Sequence, residues 1–191
     1  MAFVSYDTIL GEVDLSIVDT AGPGPFTIGG AAGRMSVYNG ELRGYDVNLG
    51  GGVFVYAAFG ASISAGQVVK LDQSLVSGQV ISTAQLWDGT ANTGRALAVA
   101  VANGVSGQYG WFQVQGNAII AISGAVSANT PVYWQANGTV SATGVAGKQM
   151  ENAQFATAGA VTIGSGTSAV ILPSSRAVAF LQYPGAQGAI T

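Results

Sequence analysis

Short apolar runs alternate with Gly, Asn, Ser and Pro along almost the whole chain, and no segment keeps the i, i+3, i+4, i+7 apolar spacing of an amphipathic helix. Strand-like stretches fall at Val53–Phe59, Gln67–Leu71, Gln79–Ser82, Ala96–Ala102, Gly110–Gln115, Ala118–Ile122, Pro131–Trp134, Thr139–Ala142, Ala158–Ile163, Ser168–Leu172 and Ala177–Gln182. Regular short strands separated by turn residues predict an all-β fold, a compact β-barrel or β-sandwich. Within Trp111–Gln115 the alternation places Phe112 and Val114 on one face and Trp111, Gln113 and Gln115 on the other.

Two local signals sharpen this reading. Asn137-Gly138 lies between β-prone stretches, and this pair favours a type I′ hairpin turn because both central positions need φ > 0. Asn137-Gly138-Thr139 also matches a glycosylation sequon, but the first twenty residues lack a basic start and already contain Asp7, Glu12, Asp14 and Asp19. They do not read as a secretory signal, so the hairpin is the expected role. The repeated phrases Ala65-Gly66-Gln67-Val68-Val69 and Ser77-Gly78-Gln79-Val80-Ile81 read as turn glycines feeding strands.

The first fifty residues differ from the rest. Six of the nine acids lie there, and Gly22-Pro23-Gly24-Pro25 and Gly29-Gly30 punctuate the segment as loop. Residues 1–50 are therefore expected to form an extended, irregular N-terminal arm, with a β domain from 51 to 191 ending in a short tail. The arm carries aromatic residues that can insert into another surface. Phe3, Tyr6, Phe26, Tyr38 and Tyr45, with Tyr183 near the tail, are the candidate partner-contact residues. An arm packed on its own domain is the equal alternative.

Composition narrows the function. The chain has no His and no Cys, and only 8% of residues are charged, for a net charge of −3. General acid–base work at neutral pH draws most often on His, and thiolate chemistry and most zinc sites need Cys or His. A serine triad is ruled out. Paired carboxylates outside the arm are limited to Asp72, Asp88 and Glu151, and Glu12, Asp14 and Asp19 lack a calcium-loop pattern. No catalytic residue, metal ligand or cofactor site is expected, and the chain is read as not an enzyme. No basic cluster supports nucleic-acid binding, and no apolar run approaches the roughly 20 residues of a membrane-spanning helix. So little charge suits a surface covered by other protein.

The stretch VANGVSGQYGWFQVQGNAIIAISGAVSANTPVYWQANGTVSA, residues 101–142, resembles the head decoration, or cement, proteins of tailed bacteriophages. In that family a YGW(F/Y)QVQG strand leads into a G/N-A strand, an N-x-x-VY strand and a small-residue hairpin. The progression V-F-V-Y to A-G-Q-V-V within Gly51–Leu71 is similar to the family's first barrel strands. The resemblance implies a subunit made in the host cytoplasm that adds to the outer capsid surface of the virion, as a homotrimer, and bridges subunits of the major capsid protein. A receptor- or carbohydrate-binding fibre tip or adhesin is the alternative, with Tyr109, Trp111 or Trp134 as a stacking platform.

Overall fold

The computed structural model describes residues 4–7, 11–20, 41–76 and 79–189. The fold is all-β. In chain order the strands are β1 (Val4–Asp7), β2 (Gly11–Asp14), β3 (Glu41–Asp46), β4 (Gly50–Phe59), β5 (Val68–Val76), β6 (Gln79–Leu86), β7 (Leu97–Ala100), β8 (Tyr109–Ala121), β9 (Pro131–Trp134), β10 (Val140–Ser141), β11 (Gln149–Phe155), β12 (Thr162–Ile163), β13 (Val170–Ile171) and β14 (Arg176–Ala186). No helix among the described residues is long and apolar enough to cross a membrane.

Twelve strands form one hydrogen-bonded sheet, and β12 and β13 form a separate pair. Part of the large sheet closes on itself. β4 pairs with β8, β8 with β7, β7 with β5, β5 with β6, and the end of β6 returns to β4 through the parallel pairs Ala58–Thr83 and Phe59–Ala84. Closure removes the unpaired edges that otherwise invite association. The interior of this barrel holds Val53, Ala57, Phe59, Ile63, Val69, Ala84, Ala98, Ala100, Phe112 and Val114, with the Phe59 and Phe112 rings 5.0 Å apart.

A second ring uses the other half of β8. There β8 pairs with β14, β14 with β11, β11 with β9 and β9 with β10, and the bridge between Ile122 and Val140 brings β10 back to the end of β8. Ala118, Ile120, Val132, Met150, Phe155, Ala179 and Leu181 are among the residues in its core. Strand β8 thus serves both rings. Its even-numbered residues point inward throughout, Phe112 and Val114 into the first ring and Ala118 and Ile120 into the second. Its odd-numbered Trp111 and Ile119 face outward into a third cluster around Leu15, Leu42, Phe54, Leu172 and Val178.

Gly116-Asn117, which reads as a break between two predicted strands, is a bend within one. Val53 and Phe54 of β4 pair with Gln115 and Gln113, so Val114 is the extra residue of a bulge, and Gly116 follows at φ +93°. Bulges bend and twist a strand without ending it. The strand continues because β14 takes over its pairing at Gln115.

The turns follow the expected chemistry. Asn137 (φ 49°) and Gly138 (φ 69°) are the central residues of a turn closed by the Thr139 amide donating to the Ala136 carbonyl at 2.8 Å, as a type I′ hairpin requires. Gly66 (φ 82°) and Gly107 (φ 88°) occupy matching turns that feed β5 and β8. In each, the glutamine that closes the turn also reaches back: Gln67 Oε1 accepts from the Ser64 amide at 2.6 Å, and Gln108 Oε1 from the Val105 amide at 2.9 Å.

Ordered pairing reaches back across residue 50. β3 pairs with β4 from Glu41–Val55 to Asp46–Gly50, and the sheet continues through β1 to β2. Leu15 is fully buried in the outer cluster, and the Asp19 and Tyr109 backbones exchange two 2.8 Å hydrogen bonds. These parts of the first fifty residues pack on the chain's own barrel. Of the predicted strands at 158–163 and 168–172, only the two-residue pair β12–β13 forms.

Candidate functional site

The hairpin β3–β4 sets out one surface. Along β3, Leu42, Gly44 and Asp46 point inward while Glu41, Arg43 and Tyr45 point to solvent. A Cβ at Gly44 would lie 2.7 Å from Leu15 and 2.9 Å from Phe54, so glycine lets the outer cluster pack against the backbone. Asp46 is buried because its Oδ1 accepts from the amides of Asn48 (2.8 Å) and Leu49 (3.0 Å), forming the hairpin turn. That turn presents Val47, 71% exposed, beside Tyr45, 62% exposed.

Tyr183 reaches the same surface from β14. Its backbone has φ 51°, unusual for a bulky residue. The cause is local. The β11–β14 register slips between Glu151 and Ala153, Asn152 also turns left-handed (φ 57°), and Tyr183 bulges opposite it, just before Pro184. The exposed Tyr183 hydroxyl donates to Glu41 Oε2 at 3.0 Å. That hydrogen bond raises the phenol's pKa above its ordinary value, with the Glu41 charge adding and Arg43 opposing. Beside it, Asn152, Gln154, Phe180 and Gln182 line a shallow, amide-rich groove of about 350 Å³.

The surface therefore combines two of the expected contact residues, Tyr45 and Tyr183, on elements far apart in sequence. Phe3, Phe26 and Tyr38 lie outside the described residues. The backbone of Tyr6 pairs with Glu12 in the β1–β2 hairpin, and its side chain lies outside the description. Sequence reasoning missed Glu41 and Val47. The alternation of Glu41, Arg43 and Tyr45 was the signal for the face they share.

The aromatic platform is not assembled. Trp111 is 1% exposed and packs in the outer cluster; Tyr56 sits between it and Tyr109, with ring centroids 5.2 Å and 6.1 Å away. Trp134 lies elsewhere. Its Nε1 donates to the Trp87 carbonyl at 2.6 Å, Lys148 Nζ stands 4.5 Å over its ring, and any side chain at Gly89 would strike the indole.

The carboxylates singled out from sequence are dispersed. Asp88 pairs with Lys70 at 2.9 Å, and Asp72 Oδ1 lies 3.1 Å from Arg95 Nη1, an ion pair without hydrogen-bond alignment. Glu151 is exposed on β11. Among the described residues no three His, Cys, Asp or Glu side chains gather where a metal ion could be held. What the surface offers chemically is shape, aromatic contact and hydrogen bonding. No protein-family model and no curated protein matches this chain.

Proposed function

We propose that this chain is a structural virion protein that decorates and cements the outside of an assembled phage capsid, bridging subunits of the major capsid protein as a homotrimer. The observation that carries the reading is the surface of Tyr45, Val47 and Tyr183. Tyr45 and Tyr183 stand exposed there on strands, and Val47 on the tight turn that joins β3 to β4. Such anchors bury well in a partner, and a rigid framework reduces the ordering entropy of binding. Leu75 and Ile171, 73% and 77% exposed, add apolar contact area elsewhere on the molecule. Bound only to the assembled shell, the protein would stabilise it by mass action. The adhesin alternative rests on an exposed Tyr109, Trp111 or Trp134; Trp111 is buried and the Trp134 indole is tethered to the Trp87 carbonyl, which leaves Tyr109, half-buried beside Tyr56, as its remaining candidate.

Co-sedimentation with empty, expanded shells tests the proposal. Saturable binding to shells, an increase in shell disruption temperature and a trimer in sedimentation velocity are the expected results. Protein that stays in the supernatant at every shell concentration overturns it.

A further inference from the structure

Behind β13 a cavity of about 340 Å³ opens between the turn at Ala65-Gly66, strands β7 and β8, and the segment Val170–Pro173. Its walls are apolar, with Val99, Val101, Ile119, Val170 and Leu172 among them, and two polar side chains enter it, Gln113 and Arg176. Pockets for small ligands have this composition, an apolar lining with a few placed polar groups, and this one is near the lower end of their usual size, about 300–1,000 Å³.

Arg176 has no carboxylate partner among the described residues. One guanidinium nitrogen donates to the Ala65 carbonyl, and the group's remaining N–H donors have no protein acceptor there. The nine acids account for themselves elsewhere. Asp19 engages Tyr56, Glu41 engages Tyr183, Asp46 its own turn, Asp72 Arg95 and Asp88 Lys70. Glu151 pairs in register with Gly185, nine residues along β14 from Arg176, or roughly 30 Å at strand rise. Asp7, Glu12 and Asp14 belong to the β1–β2 hairpin at the far edge of the sheet. Residues 21–40, which lie outside the description, contain no acid at all.

The seat of this guanidinium is built. A Cβ at Gly66 would collide with it, and Gly66 is at φ 82° in the turn that feeds β5, so glycine is required twice over. Burial lowers the Arg176 pKa from its ordinary value, which marks a charge held partly out of water without a counter-ion. Gln113 is 2% exposed. Its Nε2 donates to the carbonyls of Gln115 (3.0 Å) and Asn117 (3.1 Å), and its Oε1 accepts nothing among the described residues. An unpaired, partly buried cation costs stability that a ligand would restore.

We propose that this cavity binds a small apolar monocarboxylate, with the carboxylate on Arg176 and the hydrocarbon body against Val101, Ile119 and Leu172. Gln113 Oε1 is placed to accept from a hydroxyl or amide on such a ligand. A neutral ligand of the same shape would fill the walls but leave the guanidinium's charge uncompensated.

The test compares hexanoate with hexanamide on the full chain, followed by NMR shifts of the Val101, Ile119 and Leu172 methyls. Hexanoate is expected to bind saturably and at least about tenfold more tightly than the amide. R176Q is expected to abolish that preference while amide binding stays the same. If R176Q does not fold, V170W, which fills the cavity from β13, is expected to weaken both ligands. No saturable shift, equal affinity for acid and amide, an acid preference that persists in R176Q, or unchanged binding in V170W would each overturn the site.

Discussion

Gly116 of β8 faces Gly52 of β4 at the point where β8 passes from one ring to the other. Gly116 is at φ 93°, and a Cβ there would collide with the Gly51 carbonyl oxygen. The two glycines let the strands approach where the bulge at Val114 has already bent β8. G116A is therefore expected to lose about 1–3 kcal/mol from backbone strain alone, with the collision adding to it. Chemical denaturation of G116A beside G124A reads this directly: Gly124 has φ 89° but open space around its Cβ position, so G124A carries the strain without the collision. Equal losses in the two variants would refute the close approach.

Tyr183 combines backbone strain with an exposed ring, and the two can be separated by mutation. Y183G removes a left-handed bulky residue and is expected to leave the melting temperature unchanged or higher, since its 3.0 Å bond to Glu41 is exposed. On the proposed function the same variant should bind shells at least about tenfold more weakly. A variant that melts much lower would instead make Tyr183 a structural residue.

Tyr56 gives the alkaline limit of the fold. Burial pushes its phenol far above the ordinary tyrosine range, and the charge of Asp19 adds to this, with the hydroxyl donating to Asp19 Oδ2 at 3.3 Å. Because the folded value exceeds the unfolded one near 10, the stabilisation is complete below pH 10 and is lost as pH rises toward the folded value. Stability should therefore fall above about pH 10, and Y56F should flatten that fall. Absorbance titration should find one phenol fewer ionising in the native protein than in the Y56F comparison predicts if Tyr56 titrated normally.

Asp88 sets a smaller effect at the acid end. The Thr90 amide, at 3.0 Å, and then Lys70, at 2.9 Å, lower its pKa to about 2. A depressed carboxylate stabilises above its unfolded pKa, near 4, and that contribution is lost as pH falls toward 2. The side chain is 53% exposed, so solvent screening keeps the pair to about 1 kcal/mol or less. D88N should reduce the slope of stability between about pH 4 and 2, and added salt should shrink the Lys70 part of the effect.

Where the sequence alternates cleanly the strands were legible, and their failures have identifiable causes. β11 was missed because Gln149–Phe155 buries only Met150 and Phe155 deeply, five residues apart, across the bulge at Asn152. An odd spacing erases the period of two. β3 was read as arm because its inward positions are Leu42, Gly44 and Asp46 while Tyr45 faces out. Apolarity there opposes the burial pattern, since Gly44 yields space to Leu15 and Phe54, and Asp46 is satisfied by its own turn. Of the candidate surface, Tyr45 and Tyr183 were visible as aromatic residues, but Glu41, which accepts from the Tyr183 hydroxyl and shares the outer face of β3 with Tyr45, was not.

The sequence by itself determined the all-β class, most strand positions from β4 onward, the Asn137-Gly138 turn and the opposite faces of Trp111 and Phe112. These depend on period, turn chemistry and φ preference, which act over a few residues. Only the tertiary structure decided that β8 is one strand shared by two rings, that Trp111 lies in a core rather than on a platform, and that Arg176 finds no carboxylate among the described residues. Those outcomes turn on which distant segments meet, and local sequence carries no record of the partner a side chain will find across the sheet.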